Sequence, residues 1–392
     1  MSHPFLALRR HFLLASLAST FPLTGQPKAP RVTTRQASIL ASKQAIEQEC
    51  RLAANGDWNK WHESSKPYRQ ALLKVYDDAV ANQLPARSIP GEKMGFIFWN
   101  SDKARMAHAG SALAITASGD SLPAYIAGDR LLPISKSIAE WLRPQGIDLI
   151  FVPVPTVVQT YPEELVADPS LLPKDNNVIP HLRRKLLTLL ENDLEVIDLY
   201  PEFMQLRQTE KRPLYIAADK HWTERPQRRA AELIAARIAR YPWAKAAMAK
   251  PPLFRQAEER FTESMGFADY LPDNTRRLSE LQTKTTYWNN ISTGPQPLSV
   301  QSATSPVLVT GDSFVNYSYP LSGGLVGHLA REINQPVSVA QISGSIVQTF
   351  QDMFRDPEML KGKKVIVWIM NYDPFDCNWM LPEKFNVPRP KP

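Results

Sequence analysis

A serine, a histidine and an aspartate stand in two strings, GDSF at 311–314 and DKHW at 219–222, each in a setting that suits nucleophilic chemistry. A serine hydroxyl is a poor nucleophile at neutral pH until an imidazole takes its proton. The imidazole in turn needs a carboxylate on its other nitrogen to hold the correct tautomer. Ser313 is the candidate nucleophile, His221 the candidate base and Asp219 its orienter. The Ser313 N–H is one candidate donor to an oxyanion, and the Ser343-Gly344-Ser345 turn downstream offers a second. Both strings also have a plainer reading, with Asp312 and Ser313 closing a turn, and Asp219 and Thr223 capping a helix beside a packed His221. Of the seven histidines, His3 and His11 fall in a leader-like start, and His62, His108, His181 and His328 lack a carboxylate on a strand end. His328 reads as structural and Trp222 as a packing anchor.

The surrounding patterns must put these groups together. PVLVT at 306–310 is a short apolar, β-branched run, followed by a glycine and then a helical pattern from Leu321 to Ile333. This predicts strand, turn and helix, with Ser313 beyond the carboxyl end of a strand, where open α/β sheets bind ligands. LYIAA at 214–218 predicts a second strand that delivers DKHW ahead of an amphipathic helix from Pro226 to Arg240. Further helices are expected over roughly 35–85, with Trp58, Trp61 and Tyr68, at Ser135–Leu142, at 180–192 and from about Ser345. Further strands are expected at 147–155, 194–200, 336–343 and 364–370. Strands alternating with helices of this length predict an α/β fold with a mostly parallel sheet, helices on both faces, and a helical N-terminal lead-in. Residues 243–305, with Pro251-Pro252 and Tyr287-Trp288, break the rhythm and read as an insertion that either walls the cleft or forms a solvated loop. Gly323, Gly324 and Gly327 have the wrong spacing for a dinucleotide loop and read as close-packing glycines.

The D-x-H-W string followed well downstream by G-D-S-F resembles the SGNH-hydrolase-like O-acetyltransferases of the alginate AlgX/AlgJ type. The likeness extends over about 105–375, including IDLIFVPVP at 147–155, Tyr161-Pro162-Glu163 and KKVIVWIMNYDPF at 363–375. The resemblance implies a permuted SGNH-hydrolase-like, flavodoxin-like sheet and a Ser-His-Asp triad carried over to Ser313, His221 and Asp219. It also implies a substrate-side tyrosine at Tyr319 and an acetyl group passed through an acetyl-serine to an exopolysaccharide. A membrane-bound O-acyltransferase is the implied acetyl donor, and no cofactor is implied. The chain departs from the family where Trp368-Ile-Met-Asn-Tyr-Asp373 holds no arginine, and where Thr156, Val157 and Val158 stand in place of a lysine. Those departures leave the polymer open. Two other readings stand beside the transferase: a carbohydrate esterase with water as acceptor, and a non-catalytic polysaccharide-binding scaffold.

At 392 residues and 43% hydrophobic content the chain is long enough for one large α/β core with an appendage. A formal charge of +7 suits a carboxylate-rich partner such as a uronate polymer, or an anionic surface. No basic run with interleaved aromatics is present, which argues against nucleic acid. Cys50 and Cys377, the two cysteines, make no zinc motif, and no metal is expected; an oxidising compartment would let them pair. The opening MSHPFLALRRHFLLASLASTF has a basic start and a short apolar core, as an export signal or anchor has, and Arg9-Arg10 fits a twin-arginine signal. The expected organisation is an export segment over 1–30, a helical segment over 31–104 and an SGNH-like domain over 105–392, in a periplasmic protein.

Overall fold

The computed structural model describes residues 34–82, 89–91, 96–98, 129–166, 168–175, 177–216, 219, 221–262, 284–316, 319–341, 347–371, 381–382 and 384–388. The export segment, Cys377, and the Ser343-Gly344-Ser345 turn lie outside them. Three helices lead in, α1 (Thr34–Ala54), α2 (Trp58–Ser64) and α3 (Lys66–Ala81), followed by the short antiparallel strands β1 (Ile89–Pro90) and β2 (Ile97–Phe98). Then come α4 (Leu131–Leu142), β3 (Asp148–Val154), α5 (Val157–Thr160), α6 (Pro180–Glu191), β4 (Glu195–Val196) and α7 (Tyr200–Thr209). Next are α8 (Glu224–Ile238), α9 (Pro242–Met248), and the strands β5 (Phe254–Thr262), β6 (Lys284–Ser292) and β7 (Val307–Gly311). The chain continues through α10 (Leu325–Glu332), β8 (Ser338–Gln341), α11 (Gln348–Arg355) and β9 (Val365–Asn371).

Five strands form one sheet in the order β4-β3-β9-β7-β8, and every pairing in it is parallel. Side chains of a strand alternate between faces, so a strand buried at every position is covered on both. β7 and β9 are buried along their whole lengths, and β3 from Leu149 onward, as their unbroken apolar runs require. Trp368 of β9 is fully buried between Phe151, 5.0 Å away between ring centroids, and Phe350 of α11, 4.9 Å away. The last strand in the sequence therefore sits at the centre of the sheet. It has β3 on one side and β7 on the other, and the crevice beyond its carboxyl end is where this architecture places ligands.

Three expectations need correction. The described part of LYIAA, 214–216, does not join the sheet: Tyr215 makes an isolated antiparallel bridge to Trp222, with Ile216 N–H donating to His221 O and Thr223 N–H to Leu214 O. Tyr215 and its bridge partner Trp222 are both fully buried. The bridge sets His221 alongside Ile216. The strand at 194–200 is only Glu195–Val196, because Tyr200 already opens α7, with Pro201 near its start. The helix after the serine begins at Leu325 rather than Leu321, since Ser313–Val315 is a 3-10 turn and 321–323 form turns. Within 243–305 the described residues hold α9 and a two-stranded antiparallel hairpin, β5–β6, paired from Phe254↔Ser292 to Thr262↔Lys284.

The N-terminal helices are fastened by buried polar groups. Arg183 of α6 donates twice to Glu49 of α1, both at 2.8 Å, and once to Asp198 at 2.6 Å, so its buried charge is met by planar carboxylates. Burial pushes the Glu49 carboxyl up, against the pull of Arg183. Nearby, His62 and His181 are fully buried with ring centroids 5.4 Å apart, and Arg69 donates to His62 Nε2 at 2.7 Å. Burial first, then the Arg69 charge, holds the His62 pKa down at about 3, and burial holds His181 well below its usual range. Both imidazoles are therefore neutral in the folded chain while the unfolded chain protonates them near pH 6.5. The unfolded state binds more protons, so stability is lost as pH falls from about 6.5 towards 3, by at most about 1.4 kcal/mol per unit for each ring. His62→Gln is expected to reduce the loss of unfolding free energy between pH 7 and pH 4.5 by about 2 kcal/mol, read by urea titration. An unchanged pH dependence would show that the neutral ring is not what acid attacks.

Candidate active site

Ser313 is aimed by the end of β7. Gly311 has φ +147°, and a Cβ there would lie 1.8 Å from the Ile369 carbonyl oxygen, so only glycine lets β7 approach β9 this closely. Asp312 then caps the 3-10 turn by accepting from Phe314 N–H at 2.9 Å, and its second oxygen accepts from Asn371 N–H at 3.0 Å. One carboxylate thus clamps the serine turn to the end of the central strand. The capping reading of Asp312 is correct, and it leaves the half-buried Ser313 hydroxyl beyond the sheet.

His221 meets that hydroxyl. Asp219 Oδ1 accepts from the His221 backbone N–H at 2.9 Å and from Nδ1 at 2.5 Å, and Nε2 lies 2.7 Å from Ser313 Oγ. An ionised carboxylate only accepts, so the ring proton belongs on Nδ1 and Nε2 presents its lone pair to the serine. Asp219 and His221 are both buried, which shields the pair from water. The imidazole packs on Phe314 with centroids 4.8 Å apart. Trp222 is fully buried and donates from Nε1 to Phe314 O at 3.0 Å, tying the histidine segment to the serine turn. Thr223 stands at the N-cap position of α8, but its hydroxyl donates instead to Pro213 O at 3.0 Å.

The other candidates are placed as follows. Tyr319 is buried under the β5–β6 hairpin, its ring 5.8 Å from that of Tyr287. Gly323 admits the same Tyr287, since a Cβ at Gly323 would lie 2.0 Å from its ring. Asn290 of β6 donates from its backbone N–H to Ser322 O at 2.9 Å, so the hairpin packs on the segment between the serine turn and α10. Burial, and then Glu259, push the Tyr287 hydroxyl up to about 12. His328, read as structural, faces a carboxylate on a neighbouring helix: Nε2 lies 3.0 Å from Glu224 Oε1, close but without hydrogen-bond alignment, in a buried contact between α10 and α8. Asn371 and Gln227 escaped the sequence reading. Asn371 enters through its backbone, and Gln227 looks like any polar residue of an amphipathic helix. Among the described residues, no group of three or more His, Cys, Asp or Glu is gathered as a metal site. No helix among them is long and apolar enough to cross a membrane. Cys50 is a buried free thiol, pushed up to about 11 by burial.

A parallel sheet with a serine, an imidazole and a carboxylate in line beyond its central strands is the arrangement of an α/β protein with its candidate site at the carboxyl end of the sheet. The family model described as SGNH hydrolase-like domain, acetyltransferase AlgX, matches residues 130–372, and the chain belongs to that family. Solved structures that resemble it include the O-acetyltransferase domain of Pseudomonas putida AlgJ, at 16% identity over 65% of this chain and 84% of that one, with a TM-score of 0.47. Pseudomonas aeruginosa AlgX is 16% identical over 61% of this chain and 55% of its own, with a TM-score of 0.42. Bacillus cereus PatB1 is 13% identical over 67% of this chain and 93% of its own, with a TM-score of 0.40. No curated protein matches the sequence.

Proposed function

We propose that the chain is an exported O-acetyltransferase that carries an acetyl group on Ser313 and delivers it to hydroxyls of an exopolysaccharide. The observation that carries this reading is the 2.7 Å contact between Ser313 Oγ and Nε2 of an imidazole whose Nδ1 is held by Asp219. Ser313 Oγ attacks the carbonyl carbon of an acetyl ester as its proton passes to His221 Nε2. The Ser313 N–H is the first candidate donor to the resulting oxyanion, and the intermediate collapses as Nε2 returns the proton to the leaving oxygen. A sugar hydroxyl then gives its proton to Nε2 and attacks the acetyl-serine. Collapse of this second intermediate releases the sugar ester and restores the Ser313 hydroxyl. The positive net charge suits an acidic polymer, and a membrane-bound O-acyltransferase would supply the acetyl group in the periplasm.

The test is an assay with an activated acetyl ester, with and without uronate and neutral oligosaccharides, followed by mass spectrometry of protein and sugar. An acetyl adduct on Ser313 and transfer to an oligosaccharide in preference to hydrolysis are expected. Hydrolysis indifferent to every sugar would make the protein an esterase. Retained sugar binding with no adduct would make it a scaffold.

A further inference from the structure

We infer that Gln227 is a positioning residue that sets the distance between Ser313 and His221. The inference rests on the serine mechanism proposed above. Gln227 lies in the first turns of α8 and is 1% exposed. Its Nε2 donates to Trp222 O at 3.1 Å, and its Oε1 accepts from Leu325 N–H at 2.8 Å. Trp222 follows the imidazole directly, and Leu325 is the first residue of α10, the helix that follows the serine turn. Only one orientation of the amide satisfies both neighbours, because Trp222 O can only accept and Leu325 N–H can only donate.

Both ends of this bridge matter. The first N–H groups of a helix have no acceptor within the helix, and they are usually served by a side chain at the N-cap. The N-cap of α10 is Gly324, which has no side chain to serve them. Gln227 supplies the acceptor from another helix. Its other end holds the carbonyl of the tryptophan whose Nε1 donates to Phe314 O at 3.0 Å. Trp222 to Phe314 O and Gln227 to Leu325 therefore tie the histidine segment to the serine segment at two points, the first of them beside the contact between Ser313 and His221. A glutamine makes the second tie with one uncharged group, which introduces no titration beside the base.

The test is Gln227→Met, which keeps the shape of the side chain and removes both hydrogen bonds. The expected result is a fall in kcat of about 10- to 100-fold on an activated acetyl ester, with KM within about twofold of wild type. Labelling of Ser313 by a fluorophosphonate should slow by a similar factor. A second variant separates positioning from helix capping: Gly324→Asp in the Gln227→Met background supplies α10 with its own cap. The backbone allows it, since Gly324 has φ −99° and the nearest atom to a Cβ there, at 3.1 Å, is Gln227 Oε1 itself. The double variant is expected to recover the thermal transition but not kcat. Recovery of kcat in the double variant, or a Gln227→Met protein with kcat within twofold of wild type, overturns the positioning role. A wild-type protein that neither turns over the ester nor takes the phosphonate sinks the underlying serine reaction instead.

Discussion

Ser313→Ala and His221→Ala are each expected to lower kcat/KM on an acetyl ester by about 10⁶-fold, while Asp219→Asn lowers it by about 10⁴-fold. In the proposed mechanism the first two losses are alike because the hydroxyl and the imidazole act as one unit: without either, no proton moves across the 2.7 Å contact. The aspartate loses less because the serine and histidine remain. An asparagine nitrogen facing Nδ1 would drive the ring proton to Nε2, where it blocks acceptance from Ser313. The fold should tolerate Ser313→Ala with a thermal transition within a few degrees of wild type. The hydroxyl is half-buried, and a single hydrogen bond of this kind is worth about 1 kcal/mol. Stopped-flow or steady-state ester hydrolysis, paired with calorimetry on the same preparations, checks both statements. A Ser313→Ala protein that retains turnover within tenfold of wild type removes the hydroxyl from the mechanism.

Gly311→Ala is expected to be the most damaging alanine substitution among the described glycines. The new carbon would sit 1.8 Å from the oxygen, 2.8 Å from the carbon and 3.1 Å from the nitrogen of Ile369, all of them backbone atoms that cannot swing aside. β7 and β9 would have to part at the point where Asp312 N–H donates to Ile369 O at 3.3 Å and Asn371 N–H donates to Asp312. Destabilisation of about 4 kcal/mol or more follows, in the range reserved for overpacking and broken networks. Gly146 provides the control. It also has positive φ, at +72°, but a Cβ there meets nothing within 4 Å. Gly146→Ala should cost only about 1 kcal/mol, the backbone strain alone. Urea unfolding of both variants separates the two causes, and equal midpoints would show that the close approach of β9 is not what demands Gly311.

How much of this was legible in the residues differs from element to element. The runs at 148–154, 307–311 and 365–371 are mostly apolar and rich in β-branched residues, and such runs announce buried parallel strands without any tertiary information. α6 and α4 carry their period openly, and both were placed within a few residues. LYIAA carries the same local signal as a strand, yet its residues 214–216 make only an isolated bridge to Trp222. Pairing in a sheet needs a free neighbouring edge, and composition does not record which edges are free.

For the site, the sequence by itself determined which side chains are present to do chemistry: a serine after a glycine turn, and an aspartate two residues before a histidine. That local spacing is enough for Asp219 to accept from both the backbone and the ring of His221. Only the tertiary structure decided that the two strings meet, that β9 lies between β3 and β7, that the β5–β6 hairpin covers Tyr319, and that a glutamine in α8 bridges the two segments. The physical reason is range. Turn chemistry and hydrophobic period act over a few residues and can be read locally, whereas a contact between residues 92 positions apart depends on how the intervening elements pack.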